Sequence, residues 1–188
     1  MAFRLDPSIA EHIGTVYIMG GGLYIGNRTP VAEANFYDDP EAAEIVLNSG
    51  AHCMVFPIEA CEMGATYDTE DLKQIEAIGS DLSSFLDAEL KEYIERCNYL
   101  FDVDVTSCCA YDCCAYDYAA AAAILDETVI TEKRKDIVHI DISGGMADGQ
   151  MVIDRRGMYP DELPTEVVYR MDSEKMHRLL LDLIARKQ

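Results

Sequence analysis

The sequence predicts an α/β fold built on an open, mostly parallel sheet flanked by helices. Three observations carry that expectation. The apolar, β-branched run at 15–19 ends in Gly20-Gly21-Gly22, and a polar loop then leads to a strong helix start at Asp39-Pro40-Glu41. A second apolar run at 52–58 follows that helix. Strand, helix and strand at this spacing form a βαβ unit, with a right-handed crossover and parallel strands. In open α/β sheets, a strand that ends in glycines before a polar loop is where ligands are placed.

Taken in order, Asp6-Pro7-Ser8 opens a short helix that reaches Ile13 and stops at Gly14. Asp6 would cap it, and Pro7 would sit in its first turn, where the missing N–H costs nothing. Residues 15–19 are apolar enough for a strand buried on both faces. The helix at about 40–48 is capped by Asp39, begins with acidic Glu41 and ends before Gly50. Thr69-Glu70-Asp71 opens a further helix that Gly79 closes. From about 83 to 99, Phe85, Leu86, Leu90, Tyr93, Ile94 and Cys97 recur at helical spacing, with charged residues opposite. The alanine-rich run at 118–125 is an excellent helix former with Asp117 at its start. The apolar runs at 137–142 and 151–154 flank a glycine-rich connection and read as a hairpin. A last strand covers 166–171, and Ser173 would cap a final amphipathic helix with Leu179, Leu180, Leu183 and Ile184 facing inward. No linker or low-complexity tract divides the chain, so residues 1–188 are expected to form one domain.

Composition narrows the function. A formal net charge of −20 argues against nucleic acid, whose phosphates demand a basic surface, and against anionic membranes. No apolar run approaches the roughly 20 residues of a membrane span. Seven cysteines, an odd number, and a start without a signal-peptide pattern point to reduced thiols and a cytoplasmic location. The repeat Cys108-Cys109-Ala-Tyr-Asp then Cys113-Cys114-Ala-Tyr-Asp invites a zinc reading, but adjacent cysteines are poor tetrahedral spacing, and duplication explains the repeat better.

The loop at 20–35 is the most informative stretch. Asn27, Glu33 and Asn35 can together donate to and accept from a polyhydroxylated ligand. The plain alternative is a polar loop that satisfies its own backbone. The pattern Gly20-Gly21 through Gly26-Asn27-Arg28-Thr29-Pro30-Val31-Ala32-Glu33-Ala34-Asn35, then Asp39-Pro40-Glu41-Ala42-Ala43, resembles the inosine/uridine-preferring nucleoside hydrolases. Tyr116-Asp117-Tyr118-Ala119 with Leu125-Asp126, and the segment from Gly149-Gln150 to Gly157, are similar to later motifs of that family. The whole chain aligns with the C-terminal part of the family's domain.

The resemblance implies a Rossmann-like nucleoside hydrolase fold and hydrolysis of the N-glycosidic bond of purine or pyrimidine ribonucleosides, giving ribose and free base. It also implies nucleoside catabolism and purine salvage. It places Asn27 and Glu33 on the ribose 5′ side and Asn35 on the 2′ and 3′ hydroxyls. Asp117 would be a calcium ligand that also touches a ribose hydroxyl, with a helix N-cap as its plain alternative. Tyr116 stands where many members carry the histidine that helps protonate the leaving base. A phenol of pKa about 10 is a poorer acid, so packing or a loop role competes with a place on the leaving-group side.

The family's aspartate-rich N-terminal segment, which supplies most calcium ligands and the general base, has no counterpart in these residues. The expectation is therefore a chain lacking the family's N-terminal strands, with an exposed edge at 15–19 and impaired or absent activity alone. A homo-oligomer or a complementary chain would cover that edge. The alternative is a non-catalytic remnant or subunit that binds ribosides.

Overall fold

The computed structural model describes residues 1–101 and 115–186, with side chains 97–101 left aside. The chain groups into two compact units, Met1–Ala60 with Ile130–Arg170, and Cys61–Val129 with Met171–Gln188.

The first unit holds the sheet. It begins with two single-turn helices, α1 (Ala2–Leu5) and α2 (Ile9–His12). Asp6 does not cap a helix running to Ile13. Its carboxylate accepts from the Ser8 N–H at 3.1 Å and the Ser8 hydroxyl at 2.6 Å, a local turn that delays the helix to Ile9. Strand β1 (Val16–Met19) is followed by the glycine loop, by α3 (Ala34–Asp38) and by α4 (Pro40–Leu47). Asp39 caps α4 as expected, accepting from the Ala42 N–H at 3.0 Å, with Pro40 in the first turn. Strand β2 (Cys53–Phe56) is fully buried and parallel to β1, Val16 facing Cys53 and Met19 facing Phe56. Pro57 ends it, and α5 (Ile58–Gly64) starts at once, so Ile58 belongs to the helix.

Later in the chain come β3 (Ile130–Asp136), β4 (Val138–Ile140), β5 (Met151–Ile153) and β6 (Thr165–Met171). The main sheet has the order β1-β2-β6-β3, with β6 parallel to β2. The anticipated hairpin is the antiparallel pair β4-β5. The open, mostly parallel α/β class is therefore the observed one. All four residues of β1 are only partly buried, against the expectation of burial on both faces, because β1 stands at the end of the strand order with one neighbour. Phe36, Leu47, Val55, Ile140, Met151 and Val167 form the core of this unit.

Hydropathy did not reveal β3, whose sequence is Ile-Thr-Glu-Lys-Arg-Lys-Asp. Polar pairs to β6 hold it. Lys133 reaches Glu166 at 2.9 Å, Arg134 lies 4.3 Å over the Tyr169 ring, and the Tyr169 hydroxyl donates to Asp136 at 2.7 Å. Burial and that bond push the Tyr169 phenol up to about 12. On β4, His139 lies between two carboxylates, with Nδ1 3.1 Å from Glu44 of α4 and Nε2 facing Glu162. The Glu44 hydrogen bond, followed by that of Glu162, raises the imidazole above its ordinary range despite partial burial.

The second unit is helical: α6 (Thr69–Ile78), α7 (Asp81–Phe101), α8 (Tyr116–Leu125) and α9 (Ser173–Ile184). Helix α6 opens at Thr69 as expected, and the cap of α9 sits one residue earlier than expected, at Asp172 rather than Ser173. Asp68 accepts from the Glu70 and Asp71 N–H groups, and Asp172 from that of Lys175. Tyr67, Leu72, Ile75, Leu90 and Ile184 form the core, with Leu86, Ile94, Leu180 and Leu181 packed on it. Phe85 and Tyr93 belong to the apolar stripe of α7 by sequence but are exposed, since the buried face runs through 86, 90 and 94. Cys108, Cys109, Cys113 and Cys114 lie outside the described residues.

Candidate functional site

The site builds from the end of β1. The ladder continues one residue past the strand, Gly20 N–H donating to the Phe56 carbonyl at 3.2 Å. The chain then folds on itself twice. A Cβ at Gly22 would stand 1.9 Å from the Ile25 carbonyl oxygen, so the first fold admits only glycine. A Cβ at Gly26 would stand 2.2 Å from the Ala32 carbonyl oxygen and 2.4 Å from both the Ala32 nitrogen and the Thr29 oxygen. That second fold closes the turn at 29–32. The Thr29 hydroxyl accepts from the Ala32 N–H at 3.0 Å, and the Ala32 carbonyl accepts from the Arg28 and Thr29 N–H groups. The glycine spacing of the loop is thus a backbone requirement before it is a chemical one.

Glu33 is the centre of this loop. It is 2% exposed and caps α3. Its carboxylate accepts from the Gly21 N–H at 2.9 Å, the Asn35 N–H at 2.9 Å and the Phe36 N–H at 3.3 Å. Burial raises its pKa, and the backbone hydrogen bonds, led by that of Asn35, pull the other way. A carboxylate offers about four acceptor positions, so three are engaged by the backbone. Asn27 caps the same helix, accepting from the Ala34 N–H at 2.8 Å through its side-chain oxygen. Its amide NH₂ makes no hydrogen bond among the described residues. Asn35 is exposed, and its NH₂ turns back to the Met19 carbonyl at 3.2 Å. Its side-chain oxygen accepts nothing among the described residues. The two asparagines therefore present an unspent donor and an unspent acceptor, the complement of neighbouring hydroxyl groups.

Two residues that sequence reasoning missed complete the loop. Glu59, in the first turn of α5, accepts from three consecutive N–H groups: Leu23 at 2.8 Å, Tyr24 at 2.7 Å and Ile25 at 3.1 Å. Arg155 donates to the Leu23 carbonyl at 3.2 Å and lies 4.9 Å over the Tyr24 ring. One signal was available for Glu59. It follows the second strand directly, and the carboxyl ends of adjacent parallel strands are neighbours.

Tyr116 and Asp117 head α8 in the second unit. The Tyr116 hydroxyl lies 3.5 Å from Glu62. Asp117 is exposed, and the N-cap position belongs to Ala115, which makes no side-chain cap bond, so the capping alternative for Asp117 does not hold. Next in α8, the Tyr118 hydroxyl donates to the Met176 carbonyl at 2.8 Å, and burial pushes it up to about 12. Among the described residues, no three histidine, cysteine, aspartate or glutamate side chains gather where they could hold a metal. Calcium takes about six to eight oxygens, so the described donors, with Asp117 alone in that role, do not fit it. No helix among the described residues is long and apolar enough to cross a membrane.

An open, mostly parallel sheet, with a glycine-bounded polar loop at the carboxyl end of a strand, defines an open-sheet α/β protein. The inosine-uridine preferring nucleoside hydrolase family model matches residues 1–178, and the chain belongs to that family. It is 31% identical over 192 residues to the inosine-uridine preferring nucleoside hydrolase of Leishmania major, covering 99% of this chain and 56% of the relative. The Crithidia fasciculata enzyme of the same name is 31% identical over 186 residues, at the same coverages. Among solved structures, a plant nucleoside hydrolase superposes with a TM-score of 0.85 at 25% identity, over 99% of this chain and 58% of that one. The chain thus spans about half the length of the curated relatives it matches.

Proposed function

We propose that the protein acts on ribonucleosides, hydrolysing the N-glycosidic bond to give ribose and free base, and that the loop at 20–35 holds the sugar. The observation that carries this is the loop itself. Its backbone is fixed by Glu33 and Glu59, while the Asn27 amide and the Asn35 carbonyl are left to meet hydroxyls. In this reading Asn27 and Glu33 serve the 5′ side of the ribose and Asn35 its 2′ and 3′ hydroxyls. Asp117 takes a further hydroxyl, and Tyr116 faces the departing base. The transition state is oxocarbenium-like, so a sugar seated on this loop gains cationic character beside the buried charge of Glu33.

Both units belong in this reading to one nucleoside hydrolase-like domain, which is supported by a family match that runs through both. Nucleoside catabolism in the cytoplasm, including purine salvage, is the setting that agrees with an odd count of seven cysteines.

A second reading rests on the donor set. With calcium unmatched among the described carboxylates, the chain binds ribosides without turning them over, and pairs with a second copy or a complementary chain. A reducing-sugar assay with inosine and uridine, with and without calcium, together with a ribose titration followed by NMR, separates the two. Sugar release supports hydrolysis. Ribose binding without release supports the second reading. Neither binding nor release overturns both.

A further inference from the structure

Three consecutive backbone N–H groups converging on one carboxylate is an arrangement with more to say than loop closure. Leu23, Tyr24 and Ile25 form a small cradle of donors, and Glu59 fills it from the neighbouring strand's end. Consecutive N–H groups pointing to one side make an anion-binding concavity, and here the anion is built in. Leu23 is held at both ends, since its carbonyl accepts from Arg155 while its N–H donates to Glu59. The opposite end of the loop is fixed by Glu33, which takes the Gly21 N–H just before the cradle. Asn27 comes two residues after Ile25, with only Gly26 between, and Gly26 is itself packed without clearance against the turn at 29–32. Ile25 and Asn27 are thus separated by a single residue that has no free space beside its backbone.

We propose that Glu59 is a positioning residue for the sugar site: by clamping the N–H groups of Leu23, Tyr24 and Ile25 it sets where the Asn27 amide points. This rests on the proposed sugar-holding role of the loop. The two oxygens divide the work. Oε1 accepts from Tyr24 and Ile25, and Oε2 accepts from Leu23. Glutamine keeps one acceptor oxygen and turns an NH₂ toward the remaining N–H, so Glu59→Gln preserves two contacts at most and loses one. Glu59→Ala loses all three.

Two measurements on the full chain decide it. Amide hydrogen exchange in Glu59→Ala should lose protection at Leu23, Tyr24 and Ile25 while the core strands keep theirs. Glu59→Gln should lose it mainly at Leu23. Ribose affinity, read by NMR titration, should fall about tenfold in Glu59→Ala, with partial recovery in Glu59→Gln, as expected for lost charge-assisted hydrogen bonds. Unchanged exchange at 23–25, or wild-type affinity in a Glu59→Ala protein that has lost those protections, overturns the inference. So does a uniform loss of protection and melting temperature across the first unit, which marks a purely structural role. If the wild-type protein binds no ribose, the sugar-site reading fails, and with it the positioning role. The exchange data then still show whether the clamp exists, so the two failures are told apart.

Discussion

Replacing Glu33 by glutamine would leave one acceptor oxygen where two now serve three N–H groups. Glu33 is only 2% exposed, so a donor it abandons finds no ready partner in water. Glu33→Gln should destabilise the protein by about 1–3 kcal/mol, measured by urea denaturation, even though it removes a buried charge. A neutral or stabilising result would mean that desolvation of the carboxylate outweighs its three hydrogen bonds. His139 offers a prediction of a different kind. A neutral imidazole donates one hydrogen only, yet both ring nitrogens face carboxylates, so the arrangement favours the imidazolium. Its folded pKa lies above the ordinary 6.5, so its contribution is fully present below about pH 6.5 and is lost as pH rises through the folded value. The melting-temperature gap between the wild type and His139→Gln should be wide near pH 6 and narrow toward pH 9, by roughly the full electrostatic part. At this scale the motif made Asn27, Glu33 and Asn35 visible, because their side chains are what the motif specifies. Glu59 stayed hidden because its partners in the loop are backbone N–H groups, which carry no residue identity.

At the scale of elements, Asp39 shows what local rules can do. Its side chain closes the first turn of α4 at Ala42, and Pro40 follows in the position where its missing N–H is harmless. Asp39→Ala should cost about 1 kcal/mol in equilibrium unfolding, with the sheet register untouched. A loss of several kcal/mol would mean that Asp39 also holds something beyond its helix. Helices α4 and α6, which carry their own caps, and strand β2, a continuous apolar run, were legible in sequence for this reason. β3 was not. Its stabilising partners, Glu166 and Tyr169, lie about 35 residues away on β6, and its own residues are those that keep a sheet edge from pairing further. The helix expected from Asp6 starts only at Ile9 for a related reason: aspartate followed two residues later by serine can close a turn on itself, and the side-chain bond competes with the helix.

For the whole molecule, a net charge of −20 on 188 residues is a sizeable self-repulsion that the folded state compresses. Screening shortens from about 30 Å at 0.01 M salt to about 3 Å at 1 M. The melting temperature should therefore rise along a sodium chloride series over that range, as read by scanning calorimetry. A flat response would mean that local ion pairs such as Lys133–Glu166 and Lys91–Asp87 already balance the field. The fold class was legible at this scale because it follows from the alternation of strands and helices. The grouping into two compact units was not, since each unit is assembled from segments far apart in the chain.

The Glu59 clamp touches Tyr24 and Ile25 only through their main chain, and both side chains are exposed, at 71% and 46%. The route of the loop is thus written in one set of residues, Gly22, Gly26, Glu33 and Glu59, and its outward texture in another. Mutational drift at 24 and 25 can redecorate the rim without redrawing the path beneath it. A lineage can vary the side chains there while the backbone path of the loop stays as it was.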